Sequence, residues 1–537
     1  MKTRCITIGL LIALIAYPGF SQSWKTYPYT PSGSLITFPK DEGRHINEPV
    51  EWWYTTGHVI GNTSGTKYSY MLTYFYFPQA GFDGFRILNI SNDDTGAFFN
   101  DTKLVNYSTL ATDKLHIEAA IFSGGTETWK NKINTNGNPV PFEYMLAASS
   151  SNTALNLEYI AIKPPLIIDG DGLFNQGASS YTYYYSQTKN EVSGTITING
   201  NTESVTGSSW IDRQYGSFNP FNKENYEWLS IQLSNNMDIN VWNIFTESNT
   251  IPNQLEYKLL AAYVDDTTQY THKDFHLERL AYKCTPDKVQ CYSQQWKLTS
   301  TVNNIDLTIT ALHSNSEMQF PFRFYEGATT ITGTVNGIAV SGVGFAELLH
   351  SYENPSLSFT HPTSGFWNVS EPITWQLANP DDGRLITYDI EYSIDNQASF
   401  IPIQQGISET SFLWNNATVN DGDIIWFKIK GYSTDNTLKS EIITDISALV
   451  TPATGSALDK NNVKIYPNPS QNKFTVSINS PLSLNYQIID MSGRLLIADT
   501  LKNIEHFEVD TRNLAPGVYF IRLQSDNQKL VSKVIVK

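Results

Sequence analysis

The chain has 537 residues, which is too long for one small domain, so several independently folding units are expected. Hydrophobic residues make up 40% of it and aromatic residues 13%, which is enough for packed cores and excludes a disordered or low-complexity protein. The 36 basic and 52 acidic side chains give a net charge of −16 without a basic cluster, so binding to nucleic acid or to an anionic membrane surface is not expected.

The amino terminus predicts a cleaved signal peptide over residues 1–21. Lys2 and Arg4 supply the positive start, Ile6–Ala16 supplies the apolar core, and Gly19–Ser21 supplies the small-residue segment at the cleavage site. The apolar run is too short to span a bilayer comfortably, which disfavours the alternative of a retained anchor. The mature chain is therefore expected outside the cytoplasm and without a transmembrane segment.

Alternation of apolar and polar residues predicts β-strands along most of the chain. Tyr70–Phe77 is apolar on both faces and is expected to be a buried central strand. Glu227–Leu233 and Ile239–Ile244 alternate on either side of a turn at Asn235, which is typical of a hairpin. Because no long stretch has helical periodicity, we expect an all-β protein.

Several motifs stand in order within one region: Phe38–Gly43, Glu51–Val59, Tyr183–Ser186, Trp210–Ser217, Tyr325–Ala328 and Gly344–Leu348. In this order they resemble the AttH-like and carotenoid 1,2-hydratase (CrtC-like) family over about residues 38–352. The resemblance implies two tandem lipocalin-like β-barrels with apolar interiors, which we place at residues 22–218 and 219–356. Because some family members hydrate isoprenoid double bonds, it also implies an apolar ligand.

Two Trp residues and a Tyr follow Glu51 directly. On a strand, Trp52 and Tyr54 face one side while Glu51 and Trp53 face the other. One interpretation is a barrel strand whose rings pack in the core. The other is that the rings line a ligand cavity, since barrels of about eight strands can hold one small apolar ligand.

Asp212 is the candidate acid. It shares a strand face with Trp210 and Gln214, so a carboxyl in apolar surroundings with a raised pKa is expected. Hydration of an alkene needs such an acid, together with aromatic faces that stabilise a carbocation. The alternative is a structural Asp212 that pairs with a basic side chain or with strand-end amides and joins the two barrels.

The Asp212 motif departs from the family pattern Trp-x-Asp-x-Glu-Trp-Gly, because Gln214 and Tyr215 replace the Glu and the second Trp. Carotenoid hydratases of the family carry a His directly after the Asp and a further acid on the next hairpin. Here Arg213 follows Asp212 directly, and the next hairpin carries Trp242 and Asn243. The resemblance therefore supplies no second acid.

The remaining candidates are aromatic, acidic or sulfur-containing. Ligand-pocket candidates are Trp52, Trp53, Tyr54, Trp210, Tyr215, Trp228, Trp242, Glu326 and Glu347. The two Glu residues match family motifs in the second barrel, and each either caps a strand or enters a pocket. Cys284 and Cys291 can close a short disulfide loop in an oxidising compartment, and a catalytic or metal role is the weaker alternative. No metal site or cofactor is predicted, because His272 and His276 lack helical surroundings.

Short strand-like blocks with single Trp and Tyr residues over residues 357–452 suggest a fibronectin type III or immunoglobulin-like sandwich. Residues 460–537 then contain Tyr466-Pro467-Asn468-Pro469, Asp490–Arg494 and Leu514–Leu523 in order. These motifs resemble the C-terminal sorting domain of the type IX secretion system. The resemblance implies the type IX secretion machinery as a partner, with release or cell-surface attachment of the product.

We therefore expect a secreted or cell-surface protein whose first region binds an apolar, isoprenoid-like ligand. The first alternative is a hydratase-like enzyme on such a ligand, with Asp212 as proton donor. The second is a surface scaffold or adhesion protein with solid barrels.

Overall fold

The structure, a computed structural model, describes residues 23–122, 124–178, 180–218, 224–415, 417–420, 422–451, 458, 460–525 and 528–537. The predicted signal peptide, residues 1–21, lies outside the described residues. The chain forms two compact units. The first comprises the described residues up to Leu357, with Leu377–Tyr388 and Lys430–Ser440; the second comprises Ser358–Gln376, Asp389–Ile429 and the described part of Glu441–Lys537.

The amino-terminal sheet of the first unit has twelve strands: β1 (Val50–Gly61), β2 (Lys67–Gln79), β3 (Phe82–Asn92), β4 (Ala97–Leu110), β5 (His116–Ile121), β6 (Thr126–Ile133), β7 (Pro139–Ser149), β8 (Thr153–Ala161), β9 (Leu166–Ile167), β10 (Leu173–Gln176), β11 (Ser180–Ile198) and β12 (Asn201–Gly216). The antiparallel order runs from β12 through β1 to β8, and β11 pairs with both β12 and β8. These ten strands close into a barrel, while β9 and β10 pair with the first half of β11.

The interior of the first barrel is filled by side chains from all ten ring strands, among them Trp53, Trp129 and Tyr159. It is not wholly apolar. Arg86 Nε and Nη2 donate to the two carboxylate oxygens of Glu127 at 3.1 and 3.0 Å, deep inside the barrel. The interior therefore contains a buried ion pair in addition to the apolar side chains that the family resemblance implied.

The second sheet of the first unit has ten strands: β13 (Tyr226–Leu233), β14 (Asp238–Ile244), β15 (Lys258–Asp265), β16 (Thr268–His272), β17 (Phe275–Cys284), β18 (Cys291–Ser300), β19 (Ile305–Ala311), β20 (Glu317–Met318), β21 (Phe324–Val335) and β22 (Ile338–Leu348). Its order is β16-β15-β14-β13-β22-β21-β19-β18-β17, with β20 on β21. One core contains Leu260 of β15 and Leu277 of β17, near opposite ends of the sheet, so the sheet curls around a single interior as a second barrel. Cys284 and Cys291 form a disulfide where β17 passes to β18.

The rest of the chain forms further strands: β23 (Leu357–His361), β24 (Phe366–Asn368), β25 (Ile373–Leu377), β26 (Ile386–Ser393), β27 (Ile401–Ile407), β28 (Ser411–Phe412), β29 (Ile424–Ser433), β30 (Lys439–Ile443), β31 (Ala448–Thr451), β32 (Val463–Tyr466), β33 (Lys473–Asp490), β34 (Leu495–Asp510), β35 (Gly517–Ser525) and β36 (Gln528–Val536). They belong to sheets of three, six and five strands. The five-stranded sheet, β32 to β36, covers the predicted sorting domain.

The all-β prediction is confirmed. The helical segments of the described residues are two short 3₁₀ turns, Lys40–Glu42 and Val302–Asn304. In the part of the chain that the structure describes, no helix has the length and apolar character needed to cross a membrane. The hairpin predicted from alternating apolar and polar residues is present, with Tyr226–Leu233 paired to Asp238–Ile244.

Candidate functional site

A cavity lies between the two barrels, at a cluster of buried apolar side chains to which both contribute. Its walls carry aromatic rings, a few aliphatic and polar side chains, and three carboxyl groups. The lining residues are Trp52, Tyr54, Met71, Thr73, Phe75, Ile87, Asp212, Gln214, Phe218, Tyr226, Trp228, Trp242, Phe322, Phe324, Glu326 and Glu347. The sequence indicated a cavity inside a barrel, but the structure has it between the barrels.

Two rows of cross-strand neighbours form opposite walls. On the first barrel the row runs across β11, β12, β1, β2 and β3 through Ser186, Asp212, Tyr54, Thr73 and Ile87. On the second barrel it runs across β14, β13, β22 and β21 through Trp242, Trp228, Glu347 and Glu326. Because alternate residues of a strand share a face, pairing register alone brings each row together.

Asp212 is buried, and hydrogen bonds from three neutral groups hold it. Tyr184 Oη donates to its Oδ2 at 2.7 Å, while Ser186 Oγ and Trp210 Nε1 donate to its Oδ1, both at 2.6 Å. Within the described residues no salt bridge reaches it, and its partners there are these neutral groups. Burial raises the pKa of the Asp212 carboxyl to about 7, against the opposing effect of these hydrogen bonds.

Glu326 and Glu347 stand directly opposite each other on β21 and β22. Tyr54 Oη of the first barrel donates to Glu326 Oε1 at 2.9 Å, and Tyr226 Oη donates to Glu347 Oε1. Burial, followed by the neighbouring Glu347 charge, raises the pKa of Glu326 well above its ordinary value. Burial also raises the pKa of Glu347 to about 7.

The aromatic side chains bring ring faces close to these carboxyls. Trp228 packs edge-on against Tyr54, with ring centroids 5.5 Å apart, and Trp242 lies 4.9 Å from Tyr226. The space that the centres of water molecules can occupy is only about 30 Å³. The cavity in this state therefore admits water, and a larger molecule requires side chains to move.

The structure brings together six of the nine predicted pocket residues and the candidate acid: Trp52, Tyr54, Asp212, Trp228, Trp242, Glu326 and Glu347. Trp210 lies behind the wall as a donor to Asp212. Trp53 and Tyr215 face away from the cavity, as strand alternation requires. Gln214, which replaces the Glu of the family motif, lines the cavity.

Sequence reasoning missed the role of Tyr184 and Tyr226. Tyr184 Oη accepts from Trp228 Nε1 at 3.1 Å and from Asn240 Nδ2, both on the second barrel, while it donates to Asp212. Tyr184 stands within the Tyr183–Ser186 motif, two residues before Ser186, so period-two counting on that strand could have placed it beside Asp212.

On the other face of the same strands, Arg213 is buried beneath Trp53. Its guanidinium carbon lies 3.9 Å from the centroid of the Trp53 ring, and Nη2 forms an ion pair with Glu51. The His45 ring stacks on Tyr215 at 3.5 Å between centroids. These charges lie behind the cavity wall and hold β1 and β12 together.

A family description, AttH-like, matches residues 29–352, and a second one, secretion system C-terminal sorting domain, matches residues 464–537. Among solved structures, an AttH protein of Nitrosomonas europaea is 20% identical with a TM-score of 0.50, and covers 61% of this chain and 100% of its own. Kievitone hydratase from Nectria haematococca is 16% identical with a TM-score of 0.49, and covers 61% of this chain and 99% of its own. No curated protein matches the sequence. The likeness to the Nitrosomonas europaea structure indicates a shared fold and leaves activity open.

Proposed function

The chain belongs to the AttH-like family, and on that premise we propose that its two barrels bind an apolar small molecule in the cavity between them. The observation that carries this proposal is the convergence of aromatic walls from both barrels on a few polar groups, which is the usual composition of a small-molecule site. An isoprenoid-like molecule fits this chemistry, because its surface is apolar and its double bonds are polarisable.

The raised pKa values of the carboxyls support an apolar ligand. A carboxyl that keeps its proton near neutral pH presents no charge to the ligand, and burial raises the pKa of Asp212 to about 7 and the pKa of Glu326 well above its ordinary value. Access requires movement of wall side chains. Phe322 and Phe324, whose ring centroids lie 5.5 Å apart, are the wall residues we expect to move, since Phe322 is only partly buried.

Replacement of Trp242 by Leu is expected to weaken ligand binding about tenfold, because the ring contact is lost and about 1.4 kcal/mol corresponds to a tenfold change. The full-length protein is incubated with a mixed isoprenoid extract below saturation, and retained lipid is measured by mass spectrometry. The matched control is Trp129→Leu, since Trp129 is equally buried but lies in the first barrel. Wild-type protein that retains no lipid, or equal losses in both variants, would contradict the proposal.

A second candidate function is hydration of a double bond in the bound molecule, with Asp212 as the candidate acid. The specific support is the presence of three carboxyls at one cavity, two of them, Asp212 and Glu326, buried, which a simple carrier does not need and which are costly to desolvate. Incubation in heavy-oxygen water is expected to place the label in a lipid of the extract. Unlabelled but protein-bound lipid would favour the carrier.

The sorting domain matched at residues 464–537 links the chain to the secretion machinery that reads such tails. We propose export through the type IX system, preceded by the predicted signal peptide, with the ligand encountered outside the cytoplasm. The predicted boundaries at residues 218, 356 and 452, and the fibronectin-like assignment of residues 357–452, stay predictions.

A further inference from the structure

Two carboxyl groups of the second barrel face the same cavity as Asp212 but have different surroundings. Glu326 and Glu347 are cross-strand partners, and Cβ atoms of directly opposite residues lie about 4.5–5.5 Å apart. Glu326 is buried, and Glu347 is partly exposed. Two carboxylates so close in a buried site do not both ionise, so the pair keeps one proton between them.

The two oxygens of Glu326 differ in what they contact. Oε1 accepts the Tyr54 hydroxyl at 2.9 Å, whereas Oε2 is buried and has no hydrogen-bond partner in the described part of the chain. A buried carboxyl oxygen without a partner is costly unless it carries a proton or meets a ligand. Since Glu326 lines the cavity, this oxygen can offer a proton to a bound molecule.

Asp212 has no such free oxygen. Its Oδ1 accepts from Ser186 and Trp210, and its Oδ2 accepts from Tyr184. Tyr184 in turn accepts from Trp228 and Asn240, which directs its own proton toward Asp212. Hydrogen-bond donors therefore surround Asp212. This environment suits a hydrogen-bond acceptor that positions Tyr184, and it suits a proton donor less well.

We infer that the Glu326–Glu347 pair, rather than Asp212, transfers the proton to a double bond of the bound molecule. This inference rests on the proposed function, and it deepens it by naming the carboxyl groups that would handle the proton. Trp228 is the cross-strand partner of Glu347 and lines the cavity, so an aromatic ring that can stabilise a cation stands next to the pair.

The steps balance as an addition of water. The Glu326 carboxyl gives its proton to one alkene carbon, whose π electrons form the C–H bond, and the other carbon becomes a cation. A water molecule adds to the cation and gives a proton to the Glu347 carboxylate. Passage of that proton from Glu347 to Glu326 restores the pair, so alkene and water are consumed and an alcohol is formed. Because both carboxyls stand on one face of one sheet, hydrogen and hydroxyl add to the same face of the alkene.

The decisive experiment compares full-length wild type, E326Q, E347Q, D212N and E42Q in heavy-oxygen water and in D₂O, with a mixed isoprenoid extract as probe. Mass spectrometry reads oxygen and deuterium incorporation, and infrared spectroscopy at neutral pH reads protonated carboxyls. E326Q and E347Q are expected to lose at least about 100-fold in labelling, within the usual contribution of acid–base catalysis, and D212N less than about tenfold. E42Q is the matched control, because Glu42 is a buried carboxyl of the first barrel that does not line the cavity.

The outcomes separate the two proposals. Loss of one protonated carboxyl band in E326Q, together with its loss of labelling, supports the pair. Abolished labelling in D212N with E326Q near wild type would overturn it, as would an unchanged infrared band in E326Q. Wild-type protein that retains lipid but incorporates neither label overturns the pair and leaves the binding proposal standing. If no lipid is retained at all, the binding proposal fails and the pair falls with it.

Discussion

Replacement of Arg213 by Met is expected to lower the free energy of unfolding of the first unit by about 3–5 kcal/mol, because it breaks a buried ion pair and leaves several buried main-chain acceptors without a donor. Arg213 is 1% exposed and Glu51 is fully buried. The same guanidinium donates to the main-chain oxygens of Gly43, Trp52 and Gln214, at 2.6, 3.2 and 2.7 Å. Met fills a similar volume but satisfies none of these acceptors.

Glu51 shows how strongly the pair is coupled. Burial alone would raise the pKa of its carboxyl, but the Arg213 charge and His45 lower the pKa below its ordinary value. Urea unfolding at pH 7 measures the loss in R213M. The double variant E51Q/R213M, compared with both single variants, isolates the coupling between Glu51 and Arg213 from the contacts that Glu51 keeps with Arg44 and His45. A single variant that unfolds within about 0.5 kcal/mol of wild type would mean that the pair adds nothing to stability.

The second large effect is a loss of stability as pH rises. Glu42 is buried in the first barrel, where Tyr27, Tyr144 and Asn131 donate to its carboxyl at 2.6, 2.7 and 2.9 Å. Burial outweighs these hydrogen bonds and raises the pKa of Glu42 to about 7. The folded state then holds a proton that the unfolded state releases above pH about 4.5.

A group whose pKa is raised in the folded state contributes its full stabilisation at pH values below its pKa in the unfolded state. That contribution is lost as the pH rises through its pKa in the folded state. Between pH 5 and 8 the Glu42 contribution is expected to fall by about 2.5 kcal/mol, since one pKa unit corresponds to about 1.4 kcal/mol. The variant E42Q lacks this proton, so its stability relative to wild type is expected to increase by that amount over the same interval.

Urea unfolding of wild type and E42Q at pH 5 and pH 8 provides the measurement. The control is E191Q, a Glu-to-Gln change at an exposed position of β11, which removes a surface charge and leaves the buried carboxyls unchanged. Equal pH dependence in wild type and E42Q would show that Glu42 is ionised in the folded protein.

The fold was predictable because period-two alternation is a local signal. The faces of β1 and β12 follow directly from it: Trp52, Tyr54 and Asp212 line the cavity, while Trp53 packs inside the first barrel. The sequence also indicated Glu326 and Glu347 through family motifs, without a way to tell a strand cap from a pocket residue.

The location of the cavity was not predictable in the same way. Tyr54 and Glu326 are separated by 272 positions and meet only because the two barrels dock. The partners of Asp212 depend on the pairing of β11 with β12, which local patterns do not fix. The sequence also could not show that large side chains and the Arg86–Glu127 pair fill the first barrel and leave the space between the barrels for a ligand.

The hydrogen bond from Tyr54 to Glu326 has a consequence for how the protein is built. Each barrel alone carries only one wall of the cavity, with one carboxyl on the first barrel and two on the second, so two separate barrels would need to find each other in solution. Encoding both barrels in one polypeptide replaces that bimolecular encounter by a tethered one, at a high effective concentration. A site divided in this way stays complete when the protein is diluted, whereas two separate barrels would dissociate once their concentration fell below the dissociation constant.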